Sequence, residues 1–166
     1  MKPDLKKITI IVLTSFGIGI IYNFVSPEGV SLIREETKIV LDKSSEDFEA
    51  ESGGNPGEIK ALTTEQVYEI FTNKEAKFVD GRDNWDFSDG HIPGAINIPE
   101  YKFTPKEPNL KLLNKNEKII VYCEGNQCEV SKRLAGELQK LGYKKVWVYL
   151  GGWEEWWENK FPIEKE

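Results

Sequence analysis

The sequence predicts an α/β domain built on a small parallel sheet, preceded by one apolar helix long enough to cross a membrane. Three observations carry this. Short apolar runs, "KFVD" (77–80), "KIIVYC" (118–123) and "KVWVYLGG" (145–152), alternate with helical patterns, and such alternation puts helices on the faces of a parallel sheet. The runs at 118–123 and 145–152 are apolar at successive positions, as strands buried on both faces require. Upstream of them, Ile8 to Val25 passes eighteen residues without a charge.

That first run, "ITIIVLTSFGIGIIYNFV", would reach about 27 Å as a helix, close to the thickness of a bilayer's hydrocarbon core. Tyr22 sits near one end, where an amphipathic ring suits the membrane interface. A cleaved signal peptide would want a shorter apolar core and small residues before a cut site, and neither is present. A buried soluble helix would be amphipathic, and this one is apolar all round. Three lysines precede the run, and the first basic residue after it is Arg34, so the positive-inside rule places the N-terminus in the cytoplasm and the body outside it. The expected location is a single-pass protein of the cell (inner) membrane with a periplasmic domain, in an oxidising compartment.

The chain therefore divides into residues 1–25 (cytoplasmic tip and anchor), 26–57 (an acidic linker) and 58–166 (the folded domain). The linker contains "DKSSEDFEAESGGNPG", rich in acids, Ser and Gly and without sustained periodicity. "SLIREETKIVL" before it is a candidate short element. In the domain, Thr63 and Gln66 form a capping-box signature ahead of Val67, Ile70 and Phe71, which share one helix face. Strands follow at 77–80 and 95–99 ("AINIP"), then the buried strand at 118–123. "VSKRLAGELQKLGY" spaces Val130, Leu134, Leu138 and Leu141 as a helix that Gly142 stops. A last buried strand begins at Lys145.

The net charge is −6, and because the first 25 residues hold three lysines and one aspartate, the remainder carries −8. An acidic body repels phosphate backbones, so no nucleic-acid partner is expected. Both cysteines lie in "IIVYCEGNQCEV" (119–130). The pair is open to three readings: a disulfide, a metal clip, or a reactive thiol with a companion. Two cysteines and one distant histidine, His91, lack the paired spacing of a structural zinc site, and no metal or cofactor is expected. Cys123 ends a central strand just before a helix. Ligand sites in open α/β sheets lie there, and backbone N–H groups with a helix N-terminus favour negative charge and hence a thiolate. Four residues separate the cysteines, and a loop wound about an anion site turns only the nucleophile inward. Any bond between them is expected to be reducible and to add little stability.

Three segments, "VDGRDNWDFSDGHIPGAINIP" (79–99), the "VYC" strand end with its loop and helix, and "YLGGWEEW…FP" (149–162), together resemble the rhodanese-like family in order and spacing. The resemblance implies a three-layer fold with a small parallel sheet and a loop cysteine, here Cys123, that carries a persulfide during sulfur transfer. It makes Glu124, Gly125, Asn126, Gln127 and Glu129 the substrate loop and Cys128 a candidate resolving thiol. Asp80 and Arg82 become a hydrogen-bonded pair shaping the pocket wall, and His91 a packing residue. The loop departs from the family pattern, because Cys128 falls where a basic residue is usual and the loop is about two residues longer. Glu124 and Glu129 add negative charge beside the site, which weakens binding of a thiosulfate dianion. Trp153, Trp156 and Trp157 are expected to cover the core or rim the loop, and Glu154, Glu155 and Glu158 to form a solvated helix face.

The resulting functional expectation is a sulfurtransferase that takes sulfane sulfur from a small donor and passes it from Cys123 to a thiol acceptor. The alternative is a non-catalytic or thiol-redox module using the Cys123/Cys128 pair. A phosphatase or arsenate reductase on the same fold would need an arginine on the loop, and the nearest, Arg133, lies in the following helix. The identity of any protein partner is open.

Overall fold

The computed structural model describes residues 4–26, 38–41, 58–125 and 129–166. The chain divides into two units, Met1–Glu35 and Glu36–Glu166.

In the first unit, helix α1 runs over Leu5–Val25, 21 residues, or about 31 Å. Its apolar side chains are exposed on every side. The hydroxyls it does carry bond internally: Thr9 Oγ1 donates to the Leu5 carbonyl (2.9 Å) and Thr14 Oγ1 to that of Ile10 (2.9 Å). A polar group so satisfied can enter an apolar medium without stranding a donor. Leu5–Asn23 is apolar and long enough for a membrane span or a signal sequence.

The second unit is a six-stranded, all-parallel sheet in the order β1-β2-β6-β5-β3-β4. Its strands are β1 (Lys38–Leu41), β2 (Glu58–Leu62), β3 (Lys77–Asp80), β4 (Ile96–Asn97), β5 (Ile119–Tyr122) and β6 (Val146–Tyr149). Helices α2 (Thr64–Asn73), α3 (Asn84–Asp89), α4 (Glu129–Lys140) and α5 (Gly152–Glu158) connect or follow them, with two short 3-10 turns at Glu100–Lys102 and Pro108–Leu112. Alternate residues of the central strands feed two cores. Ile119 and Val121 of β5 join Leu134, Ala135 and Leu138 of α4 on one face. Ile120 and Tyr122 join Val67 and Ile70 of α2 and Trp156 of α5 on the other. Burial on both faces explains why β5 and β6 read as unbroken apolar runs.

β1 lies inside the segment expected to be linker. Its four residues include β-branched Ile39 and Val40, and it pairs with β2 along its whole length, from Lys38 with Glu58 to Leu41 with Ala61. It forms the end of "SLIREETKIVL", the candidate short element of the sequence. Residues 27–37 and 42–57 of the expected linker lie outside the described residues. At the start of α2 the capping box is complete, Thr63 Oγ1 accepting from the Gln66 N–H and Gln66 Oε1 from the Thr63 N–H. Gly142, at φ +89°, ends the turn after α4, and the Tyr143 N–H closes it on the Leu138 carbonyl (3.1 Å).

The register brings the carboxyl ends of the strands level. Leu62 stands opposite Tyr149, Tyr149 opposite Tyr122, Tyr122 opposite Asp80, and Asp80 opposite Asn97. Whatever follows these residues meets at one end of the sheet.

Candidate active site at the strand ends

Cys123 is the first residue past β5 and is buried. It is disulfide-bonded. Cys128, Asn126 and Gln127 lie outside the described residues. The Cys123 sulfur stands 3.3 Å from Ser131 Oγ. A disulfide sulfur carries no proton, so the Ser131 hydroxyl donates. Ser131, in the first turn of α4, is itself buried. It went unnoticed in the sequence, where it reads as one polar residue in an amphipathic helix. The signal that would have found it is its place one helical turn beyond a cysteine loop.

The backbone around Cys123 is fixed from α5. The Trp153 N–H donates to the Cys123 carbonyl (2.8 Å) and the Glu154 N–H to that of Glu124 (2.7 Å). This contact demands a glycine before it. Gly152 has φ +60°, and a Cβ there would lie 2.5 Å from the Cys123 carbonyl oxygen and 2.9 Å from that of Glu124. A Cβ on Gly125 would likewise run into the Glu154 carboxylate.

Asp80, ending β3, is wholly buried and grips Arg82 at three atoms. Oδ2 accepts from Nη2 (2.7 Å) and Nε (3.1 Å), and Oδ1 accepts from Nε (3.1 Å) and from the Arg82 backbone N–H (2.9 Å). Arg82 Nη2 also donates to the Gly90 carbonyl (2.7 Å), while Nη1 reaches Glu124 Oε2 at 3.4 Å. The guanidinium lies 4.8 Å from the Trp153 ring and 5.9 Å from that of Tyr122. Burial opposes the charge on Arg82, but Asp80, with Tyr122 and Glu124, outweighs it and holds the guanidinium above its ordinary pKa. Burial, with Asp80 close by, pushes the Tyr122 phenol well up, so it stays neutral and accepts from the Ile92 N–H (3.1 Å). Arg82 thus lies against the Trp153 ring and reaches Glu124 of the Cys123 loop, with its charge already matched.

The remaining candidate residues separate by role. His91 is buried, stacks on Phe87 at 3.7 Å and donates from Nδ1 to the Phe87 carbonyl (2.8 Å). Its backbone forms a two-bond bridge with Glu164 that ties down the C-terminal tail. Trp156 is fully buried, Trp153 packs on Arg82, and Trp157 is exposed. Glu129 is exposed and pairs with Lys132. Glu155 departs from the expected solvated face. It is half-buried and accepts from the Thr64 hydroxyl, which accepts in turn from Tyr149 (3.2 Å). The short α5 turns that side towards the start of α2. Arg133 is committed to Glu100 through two bonds (2.7 and 3.0 Å).

A family model for the rhodanese-like domain matches residues 63–159. The chain belongs to the rhodanese-like domain family. Among curated relatives, the tRNA uridine(34) hydroxylase of Escherichia fergusonii is 31% identical over 120 residues, which is 69% of this chain and 32% of that protein. Its Escherichia coli K12 counterpart is 30% identical over 95 residues, 55% of this chain and 26% of that one. The chain therefore spans about a third or less of the length of these relatives. Among solved structures, a Bacillus halodurans protein aligns with a TM-score of 0.58 at 29% identity, covering 63% of this chain and 76% of its own. The human single-domain sulfurtransferase TSTD1 aligns with a TM-score of 0.50 at 20% identity, covering 63% and 97%, which is a likeness of fold.

Proposed function

We propose that this protein is a membrane-tethered, extracytoplasmic sulfurtransferase that works through a persulfide on Cys123. The observation that carries the reading is the position of the Cys123 sulfur: buried at the end of the central strand, at the start of α4, with the Ser131 hydroxyl directed at it. A hydroxyl donor and a helix N-terminus lower the cost of a thiolate or persulfide anion there. In the reduced protein the Cys123 thiolate attacks the sulfane sulfur of a small donor. The donor's S–S bond breaks, its electron pair leaves with the donor remnant, and Cys123 holds the persulfide. An acceptor thiolate then takes the terminal sulfur and frees Cys123. When no acceptor arrives, the Cys128 thiol attacks the inner sulfur and loses its proton. Hydrosulfide leaves, and the Cys123 disulfide remains for a dithiol to reduce.

The disulfide at Cys123 favours a second reading, a thiol–disulfide redox module that never carries sulfane sulfur. Intact mass of the full chain distinguishes the two. Reduced protein treated with thiosulfate, or with a neutral organic polysulfide, is expected to gain one sulfur, and Cys123→Ser to gain none. Reversible loss of two hydrogens with no sulfur gain from either donor would sink the sulfurtransferase and leave the redox module. Sulfur gain in Cys123→Ser would remove that residue from the chemistry.

A further inference from the structure

We propose that the exposed face of α5 beside the Cys123 loop is a docking surface for a basic, cysteine-bearing polypeptide segment. The inference rests on Cys123 being the sulfur that exchanges and adds the class of partner that reaches it. Trp153 and Trp157, one turn apart on α5, have ring centroids 5.9 Å apart. Trp157 leaves 56% of its surface in water, although Trp85 (84%) and Tyr101 (71%) are exposed too. Trp153 is half-buried against Arg82, so the pair begins at the wall of the site and leads outward along the helix.

Carboxylates predominate along α5, with Lys160 an exposed cation just past its end. Glu124 is 64% exposed, and Glu154 and Glu158 are exposed on α5. The cation at the mouth, Arg82, is 5% exposed and held by Asp80, the Gly90 carbonyl and Glu124. It has no charge left over for an anionic ligand. Lysine and arginine side chains complement such a surface, since they stack on indole faces and pair with carboxylates. A small thiol seated at Cys123 would not reach Trp157, a helical turn further out. A segment of several residues with a cysteine among basic side chains would touch both.

The test uses the full chain in neutral detergent and two fluorescent peptides of equal length, one flanking a central residue with Lys and Arg, the other with Glu. With serine at the centre, binding is read by anisotropy independently of sulfur chemistry. The basic peptide is expected to bind about tenfold more tightly than the acidic one at low ionic strength, with the preference fading as salt rises. The Glu154→Gln/Glu158→Gln variant should lose most of the preference, and Trp157→Ala should weaken the basic peptide. Equal binding of the two peptides, or a preference that survives all three substitutions, overturns the docking surface. With cysteine at the centre, the rate of disulfide opening is measured separately. Selective binding without any opening keeps the surface and rejects Cys123 as the exchanging sulfur.

Discussion

At the residue scale the decisive unit is Asp80 with Arg82. Both side chains are nearly or wholly out of solvent, and neither charge is tolerable there without the other. Arg82→Met is expected to destabilise the fold by about 3–5 kcal/mol, because it leaves a buried carboxylate unmatched. Adding Asp80→Asn should recover much of that loss, which urea unfolding of the single and double variants will measure. The two strand-end tyrosines make a pH prediction. Burial pushes Tyr149 up to about 12, from an ordinary value of 10.0, with Glu155 and Glu65 adding to it. In the unfolded chain the phenol ionises first, so between pH 10 and 12 the native state binds more protons and stability falls as pH rises. The contribution is complete below pH 10 and is lost on passing pH 12. Tyr149→Phe should make the alkaline fall shallower by about 1 kcal/mol, a figure that already allows for solvent screening. Denaturant midpoints of both proteins across that window will show it, and parallel curves would place the alkaline sensitivity elsewhere.

At the element scale, the start of α5 holds the site together. Gly152→Ala places a Cβ against the Cys123 carbonyl and strains a left-handed backbone, so both α5 bonds to the loop must break or shift. A loss of about 2 kcal/mol or more is expected, with changed exchange rates for the Trp153 and Glu154 amides. This element also shows what the sequence can and cannot reveal. β3 at 77–80 coincided with its apolar run and β5 kept four of six expected residues, while β6 kept four of eight, its expected end passing into a bend and α5. The capping box at Thr63 was equally legible, because its chemistry is contained in four residues. α3, of six residues, went unread, being too short for periodicity to speak, whereas the helix expected at Glu154–Glu158 is α5. β1 lies within the candidate short element "SLIREETKIVL", but its type as a strand acquires meaning only beside β2. The Asp80–Arg82 pair was visible from family spacing. The role of Ser131 and the packing of Trp153 over Arg82 depend on which strand ends meet, which no local window contains.

At the scale of the whole molecule, the proposed tether through α1 makes a prediction about location. A reporter fused after residue 26 is expected to stay in the membrane fraction through carbonate extraction and to be accessible from outside the cytoplasm. A soluble product shortened to begin near Ser26 would instead mark a cleaved signal. The sheet order has a further consequence for how the domain comes into being. β6, last in chain order of the six described strands, is inserted between β2 and β5, and Glu164, later still, bridges to His91. During synthesis the growing chain therefore has two half-sheets whose inner edges, β2 and β5, await a strand still to be made. A ribosome paused before Val146 would hold an open, protease-sensitive chain with Cys123 unshielded. The cysteine thus meets its surroundings first as an accessible thiol and is enclosed only when β6 and α5 have been made.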